Sequence, residues 1–343
     1  MVLLSVLDQS PVRSGGTVAD TIQETFDLAQ AADRLGYHRY WVAEHHSTAA
    51  LAGSCPEILI GQIAARTSRI RVGAGGVMLS HYSPLKVAEQ FRMLSTLFPG
   101  RTDLGLGRAP GSDQLTARAL AYADPPVGPE LYPRQIADLL AWIDDALPET
   151  HPFAGVRAMP RGAPAPEIWL LGSSGESARI AAHFGTAFSF AHFISADGSV
   201  EVTHSYREHF RPSTALDRPR ASAAVFVVCA DTEAEALRLA KSRELFIVRL
   251  YTGRGGPYPS VEEADAFPYG ARELAIAQHA RRRCIAGAPE QVRDRLVAFA
   301  AEHGVDEFVI VTITHDPKAR LRSYELLAEA FGLAEPANRS QQR

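Results

Sequence analysis

PEQVRDRLVAFAAEHGVDEFVIV, residues 289–311, decides the fold. The first fifteen residues form an amphipathic helical pattern, Gly304 stops it, and an apolar strand follows at once. Glycine suits the left-handed position that closes a helix. The strand half places Phe308, Val309, Ile310 and Val311 in succession, with no polar face. Such a run is expected of a parallel strand covered on both sides. The same helix–glycine–strand unit recurs at 20–35, Gly36 and 37–43, and again at 176–184, Gly185 and 186–190.

Outward from these units, the pattern predicts strands at 3–7, 40–43, 70–74, 102–106, 167–171, 187–190, 223–228 and 307–311, with helical patterns between most of them. Thr17 with Asp20 forms a capping-box pattern, and Ser83-Pro84 puts a cap before proline at a first helical position. In that helix Leu85, Ala88, Phe91, Leu94 and Leu97 are expected on one buried face, with Pro99-Gly100 ending it. Eight β/α units in this length predict an α/β fold, the closed (β/α)8 TIM barrel. An open dinucleotide-binding sheet is the rival, but Gly105-Leu-Gly107 is followed by Pro110 where GxGxxG needs its third glycine. One domain is expected over 1–333. It includes a glycine- and proline-rich excursion at 251–283, between the seventh and eighth strands, read as a cover over the barrel mouth. The polar tail 334–343 is expected to be disordered.

Composition narrows the function classes. The 343 residues are 46% hydrophobic and 22% charged, enough for a chain of this length to bury roughly three quarters of its extended surface. A net charge of -4 without basic runs argues against nucleic acid and anionic membranes as partners. Cys55, Cys229 and Cys284 form no CxxC pair, so neither a disulfide framework nor structural zinc is expected, and a reducing cytoplasm is the natural compartment. No run of about 18 apolar residues suggests a membrane span.

In this barrel type chemistry sits at the C-terminal strand ends. Four clusters fall there. Glu44-His45-His46 follows the strand YWVA; metal is disfavoured, because neighbours on an extended strand point to opposite faces. Gly73-Ala-Gly75-Gly76 would let a flat ligand approach the backbone, or mark a bulge. Gly105–Asp113, GLGRAPGSD, supplies a flexible loop and one cation, Arg108. Gly172-Ser-Ser-Gly-Glu-Ser177 opens a helix and offers free N–H groups and hydroxyls to an anion. The helix dipole contributes only ~0.3–1 kcal/mol, so a phosphate would also need Arg108. Glu176 should then point away or cap the helix. No serine-hydrolase elbow is present.

Together, YWVAEHH (40–46), VGAGGVMLSHYSP (72–84), Gly100-Arg101, GLGRAPGSD (105–113) and GSSGESA (172–178) make the chain resemble the bacterial luciferase-like flavin monooxygenases. The resemblance implies reduced FMN at the barrel mouth, its phosphate held by Arg108, Ser173, Ser174 and Ser177. It places the flavin ring near Glu44, Gly75, Gly76 and Gly107, with a cis Gly75–Gly76 peptide. His45 matches the catalytic histidine, and Glu44 beside it is the second catalytic candidate. A general acid/base role fits an imidazole that titrates near working pH. His81 and Tyr82 are candidates for the substrate wall. Gly107 replaces the reactive cysteine of luminescent members, which weighs against light emission.

The reaction implied is reduced flavin plus O2 acting on a small organic substrate, by hydroxylation or epoxidation, in a closable apolar pocket. A separate flavin reductase and a homodimer through helices beside the second and third strands are also implied. Abundant Ala and Arg with scarce Lys add a likeness to polyketide-tailoring members in antibiotic biosynthesis, such as that of mensacarcin. The alternatives are a deazaflavin-dependent hydride-transfer enzyme of the same superfamily and a non-catalytic flavin-binding protein.

Overall fold

Nine parallel strands form the sheet: β1 (Leu3–Asp8), β2 (Arg39–Val42), β3 (Arg71–Met78), β4 (Thr102–Gly107), β5 (Glu167–Gly172), β6 (Ala187–Ala191), β7 (Ala221–Cys229), β8 (Cys284–Gly287) and β9 (Glu307–Val311). Eight close a barrel, since β1 pairs with both β2 and β9 while β7 pairs with both β6 and β9. The extra strand, β8, lies along Phe226–Cys229 of β7, beyond the Ala221–Ala224 stretch that β6 occupies. This computed structural model describes residues 2–108, 113–122, 128–162 and 164–333. The Ala109–Ser112 part of the GLGRAPGSD motif and the 334–343 tail lie outside them.

Helices cover the barrel: α1 (Val18–Leu35), α2 (Pro56–Arg66), α3 (Pro84–Leu97), α4 (Gln114–Ala121), α5 (Tyr132–Ile143), α6 (Gly175–Phe184), α7 (Ser199–His209), α8 (Glu233–Tyr251), α9 (Val261–Ala266), α10 (Ala271–Arg282), α11 (Pro289–His303) and α12 (Pro317–Phe331). The stop signals act as expected: Gly36, Gly185 and Gly304 end α1, α6 and α11 at φ 86°, 64° and 62°. Thr17 and Asp20 form the capping box of α1. At α3, Pro84 takes the first turn, but the Ser83 side chain makes no cap bond. Leu97 departs from the predicted buried face and is 60% exposed, while Arg92 is buried and donates to the carbonyls of Ile143 and Ala158.

Strand alternation explains the continuous apolar runs. On β9, Phe308 and Ile310 pack outward against helices, while Val309 and Val311 point into the barrel with Leu7, Trp41 and Trp169. The N-terminal end of the barrel is plugged by charge. Arg39, fully buried, bonds Asp103 at 2.6 Å, Glu307 at 2.6 Å and Glu167 at 3.3 Å. Trp41 and Trp169 donate their indole N–H groups to Asp103 and Glu167. Arg71 and Arg220 complete the set on Asp103 and Glu167.

The 251–283 excursion lies between β7 and β9, the seventh and eighth strands of the closed ring, and carries α9 and α10. It is fastened near its start: Tyr258 N donates to Val12 O at 2.6 Å, and Ser14 N to Tyr258 O at 2.8 Å. The Tyr258 ring is buried, stacked on Phe246.

Candidate active site

Two cavities open at the C-terminal end of the barrel and share Phe193 and Ile194. The smaller, about 290 Å³, is lined by Leu7, Trp41, Gly75, Gly76, Met78, Gly107, Arg108, Leu171 and the 172–174 turn with Ser177. The larger, about 700 Å³, lies under the excursion, with Gly255, Gly256 and Tyr258 in its wall and His45 and His46 on its rim. That volume falls within the ~300–1,000 Å³ of small-molecule sites.

The smaller cavity brings together Gly75, Gly76, Gly107, Arg108, Ser173, Ser174 and Ser177, while Glu44, expected near the ring, lines neither cavity. At its polar end Ser174 caps α6 and accepts from Ser177 N at 3.4 Å. A Cβ at position 172 would lie 2.3 Å from Ser177 Oγ, so glycine there leaves room for that hydroxyl in the turn. Arg108 enters from the end of β4. Glu176 does not point away as expected: its carboxylate forms an ion pair with Arg108. An ionised carboxylate at α6 is favoured by the helix dipole and also satisfies the guanidinium. At the apolar end, the Gly75–Gly76 peptide is cis. These glycines are not beyond the strand, as read from sequence. Strand β3 runs through them to Met78, with a register shift between Ala74 and Val77. A Cβ on Gly75 would come within 2.8 Å of Leu7 and 3.0 Å of Trp41, so barrel packing already demands glycine there.

Glu44, fully buried, is the hub of the other cluster. Its Oε2 accepts from Met78 N at 3.0 Å; its Oε1 accepts from Tyr82 OH at 2.6 Å and His46 Nε2 at 2.7 Å. Burial, then the carboxylate beside it, pushes the Tyr82 hydroxyl far above its ordinary range. Tyr82 and His81 line neither cavity, which corrects the substrate-wall expectation: the Tyr82 hydroxyl is spent on Glu44, and His81 is buried in the 79–81 turn.

His45 and His46 both border the larger cavity, contrary to strand alternation. Strand β2 ends at Val42, and the chain turns through Ser47 at φ 52°. Burial, then the charge of His46, lowers the His45 pKa to about 4. The ring is therefore neutral at pH 7, not poised near it as expected from its residue type. Its Nδ1 is buried without a partner among the described residues. A neutral imidazole with an unengaged nitrogen can accept a proton or a hydrogen bond from a molecule in the cavity.

Sequence reading missed the walls. Leu7, Trp41, Leu171 and Ala224 look like core, and only barrel closure turns them toward the smaller cavity. Arg243 lies mid-helix in a charged stretch, where the default is a surface residue, yet it is 4% exposed and lines the larger cavity.

A parallel barrel with a cation, three hydroxyls and a helix start at its mouth, next to a second chamber, has the makings of an enzyme site that holds an anionic group such as phosphate. The chain belongs to the luciferase-like monooxygenase family, whose profile matches residues 1–307. It is an enzyme of that family. It is 47% identical over 335 residues to the protein YwcH of Bacillus subtilis (strain 168), covering 96% of this chain and 99% of that protein. It is 41% identical over 333 residues to N-acetyl-S-alkylcysteine monooxygenase of the same organism, covering 96% and 98%. The crystal structure of apo-MsnO8 superposes with a TM-score of 0.88 at 41% identity, covering 97% of this chain and 98% of that one.

Proposed function

We propose that this monooxygenase uses reduced FMN and O2 to hydroxylate or epoxidise a small organic substrate. The observation that carries the reading is the pair of adjoining cavities, one ending in Arg108 and the α6 hydroxyls, the other apolar and roofed by the excursion. The residues present fit FMN. Arg108, Ser173, Ser174 and Ser177 would hold the phosphate, and the glycine and Trp41 surface would take the ring. Bound and reduced, the flavin supplies activated oxygen. The protein's part is to orient, to exclude water and to manage a proton. Leu7, Met78 and Leu171 keep the smaller cavity apolar, and Phe193 and Ile194 do the same for the shared wall. Glu44 fixes His46 and the Met78 backbone, and so acts as a positioning residue. His45 Nδ1 would accept the substrate's proton or hydrogen bond.

The reading extends to partners. A separate reductase would deliver the flavin transiently in the cytoplasm, and two copies would pair through α2 and α3, where Ile58, Met93 and Leu97 are 63%, 49% and 60% exposed. A polyketide intermediate of antibiotic biosynthesis is the finest part of the proposal.

An anaerobic titration tests it, with reduced FMN and reduced deazaflavin as rival ligands, followed by 18O2 and mass spectrometry of the products. Preference for FMN and one labelled oxygen in the product are expected. Binding of deazaflavin alone, or product without label, would overturn the reading. His45→Ala should abolish most substrate oxidation while leaving FMN bound; unchanged turnover would remove His45 from the mechanism and favour mere flavin storage.

A further inference from the structure

The larger cavity holds an unusual wall. Arg243, on α8, and Arg283, just before β8, are 4% and 6% exposed. Among the described residues neither has a carboxylate within 4.0 Å, since the adjacent Glu244 is taken by Arg281 at 2.7 Å. Arg243 gives one N–H to Ala280 O, and its guanidinium lies 4.3 Å from the Phe226 ring centroid. Arg283 gives one N–H to Ile194 O, and its buried Nε has no partner among the described residues. Each guanidinium carries five donors, so most of them are unspent. Nearby His192 offers no negative charge. Burial, then His303, Arg283 and Arg243, drive its pKa to about 4, so it is neutral at pH 7. Asp113 is the single acidic side chain among the described lining residues, and it is exposed and caps α4 through Thr116 N.

Burying a charge is costly unless an opposite charge meets it. Two buried cations on one apolar cavity therefore form half of an ion pair. Beside them the wall is apolar, with Phe226, Phe246, Ile247 and Leu250, while His45, His46 and Thr48 supply polar groups elsewhere in the lining.

We infer that the larger cavity takes an anionic substrate, a carboxylate or sulfonate on an apolar body, with its charged group bound by Arg243 and Arg283. The apolar body lies along the aromatic wall, and the atom to be oxidised is directed toward the shared Phe193–Ile194 partition. This deepens the monooxygenase reading and rests on it for the oxidised atom, though not for the anion site. Guanidinium forks match carboxylate geometry and desolvate more readily than ammonium, which suits a buried anion site.

The probes are octanoate and 1-octanol, equal in chain length and different in charge, titrated calorimetrically into the full chain at pH 7.5 with and without FMN. Wild type should bind octanoate at least tenfold more tightly than octanol. Arg243→Leu and Arg283→Leu should each lower octanoate affinity on the order of tenfold to a hundredfold, leave octanol unchanged, and leave FMN binding intact. Arg283→Lys should recover part of the loss. Equal binding of octanoate and octanol by wild type would overturn the inference whatever the variants do. So would equal weakening of both probes in variants that melt cooperatively. Failure of FMN to bind, with the octanoate preference intact, would instead sink the flavin reading and support the anion site.

Discussion

At the scale of single residues, Glu176 and Arg108 make the sharpest test. Arg108 is the single cation among the described residues that line the smaller cavity, and its only ion pair among the described residues is with Glu176. A phosphate bound there must share the guanidinium with that carboxylate. Arg108→Ala should weaken FMN by an order of magnitude or more and leave riboflavin, which lacks the phosphate, nearly unchanged. Glu176→Gln should do the opposite, tightening FMN a few-fold by removing like-charge repulsion. Flavin fluorescence titration reads both, and parallel shifts for the two flavins would remove Arg108 from phosphate binding. These roles were partly legible, because a strand-end Arg and a Ser-rich helix start are local signals. The ion pair was not, since Arg108 and Glu176 stand 68 positions apart. The lowered His45 pKa was hidden for a related reason: burial is a property of the fold, and residue type alone suggests an imidazole near neutrality.

At the scale of elements, the helix–glycine–strand unit was readable because a left-handed stop and a two-sided apolar strand are both written locally. Strand β8 was not, since CIAG is four residues long and pairs only because β7 outruns β6. The charged plug was also illegible. Arg39, Asp103, Glu167 and Glu307 lie at four different strand starts and read as ordinary loop polarity until closure gathers them. Nearby positive charge, from Arg39 first, overcomes burial and holds the Glu167 carboxyl down to about 2. Arg39→Met should therefore cost about 3–5 kcal/mol, because three carboxylates lose their shared partner. Urea unfolding would show it. Turnover per folded molecule should fall no more than a few-fold, since the plug reaches the smaller cavity through Trp41, which keeps its bond to Asp103; a loss as large as that from His45→Ala would contradict that expectation.

For the whole molecule, the buried histidines set an acid limit. His45 and His192 each titrate near 4 when folded, against an ordinary 6.5. Between those values the unfolded chain binds more protons than the folded one, so stability falls as pH drops from about 6.5 to 4. Carboxylates such as Glu167 add their loss only lower, below about 4.5. Urea midpoints at pH 7 and pH 5 should differ measurably, and His45→Asn with His192→Asn should flatten that difference. An unchanged slope in the double variant would refute the assignment.

The fastening of Tyr258 to Val12 and Ser14 has a mechanical consequence. A roof nailed near its first edge cannot lift there as one flap, so any yielding beside the nail falls to the short glycine span at Gly255 and Gly256, which borders the chamber. Cutting the nail by Tyr258→Pro, which removes the N–H given to Val12, should free that edge and let water leak in at all times.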